Sequence, residues 1–446
     1  MKKLCILGGG ESGVGAAILG KVKGYEVFLS DSGNLAPKYV DELEANGIAY
    51  ETGGHTLERI IGNTTEVIKS PGIPDTAPVI VAVKEAGIPM ISEIEFAARY
   101  TNAQLICITG SNGKTTTTSL IYHILREAGY NVGLAGNIGR SFARQVALEH
   151  FDYYVIELSS FQLDYMRDFR ANVAILLNIT PDHLDRYNYN FQNYADSKMR
   201  IIRNQTKDDA LVYWMDDPVI AAELKKYDIQ AHLCPFSLIK KEGAIAYLDH
   251  DSYQVEYPMP FNMEQESLAL RGRHNMQNQL AAGITAELVD VPTQTIKAAL
   301  RSFTPVPHRL EPVGVKKGVK YVNDSKATNV NATYFALDAM TTPLVLILGG
   351  TDKGNDYSEI LPLVSRKCRA LVYLTKDNRK LHAAFDHLGL PTVDVLSMAD
   401  CVKACAALAH QGDTVLLSPA CASFDLFNNM GDRGDQFRNQ VSQLPD

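Results

Sequence analysis

The sequence predicts an α/β protein with three domains, each built around a mostly parallel sheet. Short apolar segments that end in glycine-rich or polar turns alternate with amphipathic helical segments along all 446 residues. Because a single hydrophobic core stops growing near about 250 to 300 residues, this length requires more than one domain. We expect a Rossmann-like N-terminal domain over 1–93, a central P-loop domain over 94–305 and a Rossmann-like C-terminal domain over 306–446.

Composition and charge restrict the class of protein. The net charge of -8 gives no overall electrostatic reason to bind nucleic acid or an anionic membrane. The seven cysteines contain no C-x-x-C pair, which argues against a disulfide framework or a zinc site. No apolar stretch reaches the roughly 18 residues of a membrane span. We therefore expect a cytoplasmic monomer that acts on small molecules, without nucleic-acid or membrane partners.

The first domain opens with a strand, a glycine turn and a helix. Gly8, Gly10 and Gly13 fit G-x-G-x-x-G, and Asp31 ends the next predicted strand, near the acidic position of a dinucleotide fingerprint. Such a turn also suits any other ligand that carries a diphosphate, and it can be purely structural. This pattern leaves three interpretations open. The turn could bind a nicotinamide dinucleotide, bind another nucleotide diphosphate, or have a purely structural role.

The central domain begins with the strand QLICITG and the loop GSNGKT. Gly113, Lys114 and Thr115 fit the second half of G-x-x-x-x-G-K-[ST], but Ile108 replaces the first glycine. The apolar residues of the next segment recur at helical spacing, so the loop has the strand-to-helix context of a phosphate site. We expect its N–H groups to bind phosphates, Lys114 to neutralise charge and Thr115 to reach Mg²⁺.

Polar residues follow two further strands of the central domain. Glu157 ends the strand segment DYYVIELSS, and His183 follows ANVAILLNIT. Ligands of open parallel sheets bind at the carboxyl ends of strands, so both side chains can face the phosphates there. A carboxylate and an imidazole together suit a divalent cation. A histidine with an ordinary loop hydrogen bond is the alternative.

The third domain has three polar turns at predicted strand ends. They are VNDSKATNVNA, LILGGTDKG and LLSPACASFDLF, and each could instead be an ordinary turn with a capping serine. Three such turns in one sheet favour a ligand site. The proline-rich segment 303–312 predicts a linker before this domain. Cys401 and Cys405, spaced four apart on a predicted helix, are interpreted as packing residues.

The motifs taken together resemble the Mur ligases. Eight motifs occur in the family order, and the resemblance covers essentially the whole chain. They are TGSNGKTTT, AGNIG, ELSSFQL, TPDHLDRY, HNMQN, HRLE, NDSKATN and LSPACASFD. The family uses a shorter loop, T-G-x-x-G-K-[ST], in which Thr109 precedes Gly110, so the missing glycine is not a defect. The resemblance implies an ATP-dependent ligase that adds D-glutamate to UDP-N-acetylmuramoyl-L-alanine through an acyl phosphate, in peptidoglycan precursor synthesis.

The resemblance also implies a role for individual residues. Lys114, His183 and Lys198 would be catalytic. Two Mg²⁺ ions are implied, one held by Thr115 and Glu157 and the other by His183 with a carbamoylated Lys198. The residues implied for ATP are Gly110, Asn112, Gly113, Lys114, Thr115, Thr116, Asn275, Asn278, Arg309, Asp324 and Lys326.

Substrate residues follow in the same way. The residues implied for the UDP moiety are Ser12, Gly13, Asp31, Ser32, Ser70 and Gly72, with Asn137 at the muramoyl end. Those implied for the D-glutamate carboxylates are Thr328, Lys353 and Ser423. Met430 departs from the pattern, because the family has an aromatic residue near the amino acid there.

Four other functions compete with this interpretation. A nicotinamide-dependent oxidoreductase rests on the first glycine pattern alone and leaves the loop at 110–115 unexplained. A non-catalytic ATP-binding protein would not need Glu157, His183 and the NDSKATN motif together. Another Mur ligase, or an enzyme like folylpolyglutamate synthase, would share the central domain and differ mainly in the terminal domains.

Overall fold

The computed structural model describes residues 2–250, 252–270, 272–304 and 307–445, without the side chains of Arg273 and His274. Over this part of the chain the strands form three sheets. By packing, the chain divides into two compact units. The first comprises Met1–Ile179, Asn190–Leu268 and Met276–Phe303, and the second comprises Thr180–Tyr189, Ala269–Asn275 and Thr304–Asp446.

The first sheet lies in the first unit and has five parallel strands in the order β3-β2-β1-β4-β5. The strands are β1 (Lys3–Leu7), β2 (Glu26–Ser30), β3 (Ala49–Glu51), β4 (Thr64–Lys69) and β5 (Met90–Ile91). The helices of this region are α1 (Glu11–Val22), α2 (Pro37–Ala45), α3 (Leu57–Ile61), α4 (Pro78–Glu85) and α5 (Glu93–Ala98). A Cβ placed on Gly13 would lie 1.8 Å from the Gly8 carbonyl oxygen, so α1 packs against the glycine turn too closely for any side chain there.

The second sheet, also in the first unit, has nine strands in the order β14-β13-β12-β11-β10-β9-β6-β8-β7. They are β6 (Gln104–Thr109), β7 (Val132–Gly136), β8 (Tyr153–Glu157), β9 (Val173–Leu176), β10 (Ala210–Trp214), β11 (His232–Phe236), β12 (Ala246–Asp249), β13 (Ser252–Val255) and β14 (Phe261–Glu264). The strands β6 to β12 run parallel, and β13 and β14 add antiparallel hairpins.

The helices around the second sheet follow its strands along the chain. They are α6 (Lys114–Glu127), α7 (Phe142–Leu148), α8 (Ser160–Leu163), α9 (Phe191–Met199), α10 (Pro218–Glu223), α11 (Arg273–Leu288) and α12 (Thr293–Ser302). Strand β6 lies between β8 and β9 and is parallel to both, with Ile108 paired to Glu157. The carboxyl ends of these three strands therefore meet at one edge of the sheet, where open α/β sheets bind ligands.

The third sheet lies in the second unit and has six strands in the order β15-β16-β20-β17-β18-β19. They are β15 (Glu311–Lys316), β16 (Val319–Asn323), β17 (Leu344–Leu348), β18 (Cys368–Leu374), β19 (Thr392–Val395) and β20 (Thr414–Leu417). All pairs are parallel except β15 with β16. The helices are α13 (Val330–Ala339), α14 (Leu361–Lys367), α15 (Arg379–Phe385), α16 (Met398–Leu408) and α17 (Met430–Ser442).

Strand β17 shows why the apolar runs of the sequence become buried strands. Leu344, Leu346 and Leu348 belong to the core on one face of the third sheet. Val345 and Ile347 belong to the core on the other face. Because successive side chains point to opposite faces, a strand covered on both sides must be apolar throughout. Cys401 and Cys405 are both fully buried in the second of these cores, as expected of packing residues.

Several sequence predictions fall on these elements. The predicted strands around β1, β2, β6, β8, β9, β16, β17 and β20 are all present. Other strands were not predicted, among them the antiparallel β13 and β14, whose alternation is short. Part of the predicted linker, 305–306, lies outside the described residues. A helix that is long and apolar enough to cross a membrane does not occur in the described part of the chain.

Candidate active site

The loop between β6 and α6 needs glycine at its last position. Gly113 has a φ of 84°, in the left-handed region, and it directly precedes α6. A Cβ placed there would lie 2.3 Å from Asn278 Oδ1. The same amide oxygen accepts a hydrogen bond from Thr117 Oγ1 at 3.2 Å. Glycine is required at position 113 for two reasons: the backbone is in the left-handed region, and a side chain would clash with Asn278. Asn278 of α11 therefore packs directly beside the loop.

Two lysine side chains reach one carbonyl group of this loop. Lys114 Nζ donates to Gly110 O at 2.7 Å and to Ser111 O at 2.9 Å. Lys198 Nζ, from α9, donates to Gly110 O at 2.9 Å, although Lys198 is only 1% exposed. Two ammonium groups next to a helix N-terminus form a strongly electropositive site. This charge suits a polyphosphate.

Residues far apart in the sequence hold the loop in shape. Ser111 N–H donates to Asn178 O at 2.9 Å, and Asn112 N–H donates to Asn178 Oδ1 at 2.8 Å. Asn178 Nδ2 donates back to Asn112 O at 3.1 Å. The Ser111 and Tyr194 hydroxyls are 3.0 Å apart. The sequence analysis missed Asn178 and Tyr194, although the polar Asn178, two residues after the end of β9, could have indicated a functional position.

Glu157 is the strongest candidate for a metal ligand. It is 1% exposed, and its Oε1 accepts a hydrogen bond from Asn137 Nδ2 at 2.8 Å. Its Oε2 has no hydrogen-bond partner among the described residues. A buried carboxylate oxygen without a partner is costly, and a divalent cation would satisfy it. The buried Thr115, which carries a hydroxyl, is the second residue of α6 and follows β6 at the same sheet edge, so these residues fit Mg²⁺.

The side chains alone do not complete a metal site. Groups of three or more His, Cys, Asp or Glu side chains that could hold a metal ion do not occur within the described ranges. Mg²⁺ commonly binds through one or two protein ligands together with water and substrate phosphates, so two ligands are enough. Thr115, Glu157 and Lys198 lie in the first unit, and His183 lies in the second.

The glycine turn of the first sheet is stabilised by Asp31. Its Oδ2 accepts a hydrogen bond from Gly9 N–H at 2.6 Å, and its Oδ1 accepts one from Gly33 N–H at 2.7 Å. Ser70 Oγ donates to Gly8 O at 3.5 Å. The predicted UDP residues Ser12, Gly13, Asp31, Ser32, Ser70 and Gly72 all follow the carboxyl ends of β1, β2 and β4, which are neighbours in the sheet.

Asp324 is a buried acid at the end of β16. Its Oδ2 accepts from Ser418 Oγ at 2.9 Å, and its Oδ1 accepts from Leu310 N–H at 3.2 Å. Burial raises the pKa of Asp324 to about 7, against the opposing effects of the Ser418 hydrogen bond and the Arg309 charge. Lys326 follows two residues later and is partly buried. The charge of Arg309 therefore lies close to the buried carboxyl group at this end of β16.

Lys353 pairs with an acid that the sequence analysis did not single out. Its Nζ lies 3.3 Å from Asp182 Oδ1, and Asn329 Nδ2 donates to Asp182 Oδ2 at 3.0 Å. Asp182, His183 and Lys353 line the same cleft of about 340 Å³ within the second unit. Asp182 lies inside the TPDHLDRY motif, so its place in that motif could have identified it as a candidate site residue.

Arg433 joins three strand ends of the third sheet. It is 1% exposed, and it donates to Ser325 Oγ and Ser325 O at 2.9 Å each. It also donates to Cys421 O at 3.1 and 3.2 Å and to Gly349 O at 3.4 Å. These acceptors follow β16, β20 and β17, so one guanidinium sets the turns that carry Lys326, Ser423 and Lys353. Burial lowers the pKa of Arg433 to about 10.

The structure distributes the predicted ATP and amino-acid residues between the two units. In the first unit lie Gly110, Asn112, Gly113, Lys114, Thr115, Thr116 and Asn278. In the second lie Asn275, Arg309, Asp324, Lys326, Thr328, Lys353 and Ser423. Asn137 lies in the first unit beside Glu157. The ligand assigned to each of these residues stays a prediction.

The fold and the site define a class of enzyme that binds a nucleotide polyphosphate on the central sheet of a multi-sheet α/β chain. Family models give the class a name. Residues 108–286 match the Mur ligase middle domain, and residues 308–421 match the "Mur ligase, glutamate ligase domain".

Curated relatives extend this match over the whole chain. A protein of Bacteroides thetaiotaomicron is 60% identical over 445 residues, covering 100% of both chains. A protein of Porphyromonas gingivalis is 55% identical and covers 99% of this chain and 98% of its own. Both are named "UDP-N-acetylmuramoylalanine--D-glutamate ligase". The chain belongs to the Mur ligase family, which confirms the resemblance seen in its motifs.

Solved structures agree on the fold. UDP-N-acetylmuramate-alanine ligase from Thermotoga maritima superposes with a TM-score of 0.64 at 19% identity, covering 99% of this chain and 100% of its own. MurF ligase from the same organism, solved with ADP, gives a TM-score of 0.62 at 16% identity, covering 94% and 95%. The predicted three-domain α/β class is confirmed, while the boundaries at 93 and 305 stay predictions.

Proposed function

We propose that this chain is an ATP-dependent ligase that joins D-glutamate to UDP-N-acetylmuramoyl-L-alanine, an early step in making peptidoglycan precursors in the cytoplasm. The observation that carries this proposal is the 60% identity over the full length of a relative with that name. The electropositive loop and the buried Glu157 support it independently, because both suit a magnesium nucleotide.

The reaction proceeds in two transfers. A carboxylate oxygen of the UDP-linked substrate attacks the γ-phosphorus of ATP, the bond to the bridging oxygen breaks, and ADP leaves. The amine nitrogen of D-glutamate then attacks the carbonyl carbon of the acyl phosphate, loses a proton, and expels inorganic phosphate to form the amide. Since both steps need alignment and charge neutralisation more than a strong base, positioning residues carry most of the catalysis.

The loop at 110–115 serves the first transfer. The Lys114 ammonium donates to the Gly110 and Ser111 carbonyl groups, which keeps it beside the loop. With a nucleotide bound, we expect it to contact the phosphate oxygens and to stabilise the charge that develops on them. Asn178 and Gly113 hold the loop backbone in a defined shape that favours nucleotide binding.

Mg²⁺ fits the residues at the loop. Thr115 and Glu157 would hold one ion, and its charge would favour electron flow toward the phosphate oxygens. His183 and Lys198 would hold a second ion after the Lys198 amine reacts with CO₂, forming a carbamate and releasing a proton. The carbamate is an anion, whereas an ammonium group repels a metal ion. The position of Lys198 against the loop, buried at 1% exposure, supports this role.

The remaining residues bind the two other substrates. The turn around Asp31 and Ser70 would hold the UDP moiety, and Asn137 the muramoyl end. Lys353, Thr328 and Ser423 would hold the D-glutamate carboxylates. The Lys353 ammonium supports this assignment because it already pairs with a carboxylate, that of Asp182. Binding of the amino acid would replace one carboxylate partner with another.

The first experiment measures phosphate release from ATP with UDP-N-acetylmuramoyl-L-alanine present. D-glutamate, L-alanine, L-lysine and meso-diaminopimelate are offered separately. We expect release with D-glutamate alone. Release only with another amino acid would assign the chain to a sister ligase, and no release with any of them would contradict the proposed function. Sedimentation of the same sample tests the proposed monomer.

A further inference from the structure

The first and second sheets meet at the N-terminal turn of α7, where a buried acid holds Ser141. Ser141 caps α7 by accepting from Arg144 N–H at 3.2 Å. Its hydroxyl donates to Glu93 Oε1 at 2.7 Å. Ala143 N–H donates to the same oxygen at 2.6 Å. Glu93 opens α5 and is 4% exposed, so this contact is shielded from water.

A second acid holds Ser141 from the side of the first sheet. Glu11 is the first residue of α1 and directly follows the glycine turn. Its Oε1 accepts from Ser141 N–H at 3.1 Å and from Arg144 Nε at 3.0 Å. A Cβ placed on Gly15 would lie 2.0 Å from Ser141 Oγ, so α1 packs directly on this residue. Ser141 is thereby fixed to both α1 and α5.

Ser141 ends the short segment that begins at Asn137. At the other end of that segment, Asn137 N–H donates to Glu157 O at 2.9 Å, and its side chain donates to Glu157 Oε1. Three residues separate Asn137 from Ser141. Consequently the segment 137–141 connects the candidate metal ligand Glu157 to the glycine turn through Glu11.

We propose that Glu93 and Glu11 are positioning residues for the UDP-linked substrate, because they fix Ser141 and so set the segment 137–141 between the glycine turn and Glu157. This inference rests on the proposed function, in which the substrate spans the distance from the glycine turn to the metal. The substrate would then find its diphosphate and carboxylate subsites at a fixed separation.

The chemistry of Glu93 supports a role beyond packing. Burial raises the pKa of Glu93 to about 7, and the hydrogen bonds from Ala143 and Ser141 oppose that effect. An apolar residue would fill the same space without this cost. A buried acid at position 93 is explained if its hydrogen bond to Ser141 sets the position of Ser141 for binding of the UDP-linked substrate.

Ser141→Ala and Glu93→Leu remove the contact, and Glu93→Gln keeps it, because both hydrogen bonds go to one oxygen. Glu95→Gln is the matched control. Glu95 is on the same helix and equally buried, but its Oε2 accepts from the N–H groups of residues 167–169. It therefore does not contact segment 137–141.

Binding of UDP-N-acetylmuramoyl-L-alanine to the full-length chain is measured by calorimetry, and the KM of each substrate by phosphate release. We expect Ser141→Ala and Glu93→Leu to weaken binding of that substrate about tenfold, the loss of roughly one hydrogen bond. The KM for ATP should stay within about twofold, and Glu93→Gln and Glu95→Gln should bind as the wild type does.

The outcomes separate this inference from the proposed function. If the wild-type chain does not bind the UDP-linked substrate, the proposed function and the positioning role are both wrong. If the wild type binds it and Ser141→Ala binds equally well, the positioning role is wrong and the contact is structural. A uniform rise in KM for all three substrates would also overturn the role. Should Glu93→Leu fail to fold, Ser141→Ala, which removes a single hydroxyl, decides the question.

Discussion

Two glycine turns in this chain occupy the same kind of place in the fold and differ in backbone shape and in charge. Each joins a buried parallel strand to a helix N-terminus, β1 to α1 and β6 to α6. In the first turn, the Asp31 carboxylate accepts from Gly9 N–H, and Glu11 opens the helix. In the second, Lys114 and Lys198 donate to the Gly110 carbonyl group.

The difference shows that glycine spacing predicts the turn but not its ligand. A helix N-terminus attracts anions in both places. The second turn adds the Lys114 cation and the residues proposed to hold Mg²⁺, which suits the high charge of a triphosphate undergoing transfer. The first adds the Asp31 carboxylate, which holds its backbone in place. Such a turn suits a diphosphate that is bound and not changed. The nicotinamide alternative rested only on the first pattern, and the family relationship gives it no support.

The largest effect is expected at Lys114, because its charge distinguishes the two turns most. Lys114→Ala should lower kcat by about 10³-fold, since it removes a charge that stabilises the transferred phosphoryl group. Phosphate release measures this loss. Lys38→Ala, at an exposed lysine of α2, is the control and should retain full activity. A loss below about tenfold for Lys114→Ala would remove the distinction between the turns.

Lys198 is expected to come next. Lys198→Ala should lower kcat by about 10²-fold, because a metal ligand is lost while the loop remains. Short carboxylic acids such as acetate should restore part of the activity by replacing the carbamate. The same acids should not restore Lys114→Ala, which lacks a cation and not an anion. Activity equal to the wild type, without added acid, would refute the metal role.

A smaller effect separates two glycines that a sequence pattern treats alike. Gly113→Ala should weaken ATP binding by about tenfold, because its φ of 84° disfavours a side chain and Asn278 leaves no room. Gly10→Ala should change binding of the UDP-linked substrate by less than about twofold, since Gly10 has a φ of -78° and open space around it. Titration calorimetry measures both. Equal effects would show that backbone shape does not distinguish the turns.

The smallest effect is expected at Asp31. Asp31→Asn keeps one acceptor oxygen and turns an amide NH₂ toward a backbone N–H group, which loosens the first turn. The KM for the UDP-linked substrate should rise about fivefold, a loss near 1 kcal/mol, with the KM for ATP unchanged. An equal rise for ATP would mean that the substitution acts through general stability.

The sequence predicted the parts of this fold that depend on neighbours along the chain. The apolar run of β17 and the glycine turn before α6 follow from local patterns. The placement of Glu157 beside the phosphate loop follows from a general rule for parallel sheets. Family motifs then supplied roles that spacing alone could not give, such as the interpretation of Lys198.

Contacts between distant segments could not be predicted in this way. Asn178 supports a loop 66 residues earlier, and Asp182 pairs with Lys353, 171 residues later. Nothing in the local pattern around Arg433 indicates that it bonds to three strand ends. The order of strands in a sheet decides such contacts, and that order depends on how the whole chain packs.

The buried Arg433 also has a consequence for how the protein is made. It belongs to α17, which follows every strand of the third sheet in chain order. While the chain is being synthesised, the ends of β16, β17 and β20 leave the ribosome before the guanidinium that links them. The turns that carry Lys326, Lys353 and Ser423 therefore reach their final arrangement only after α17 has docked, so a chain released early would have the sheet without a formed ligand site.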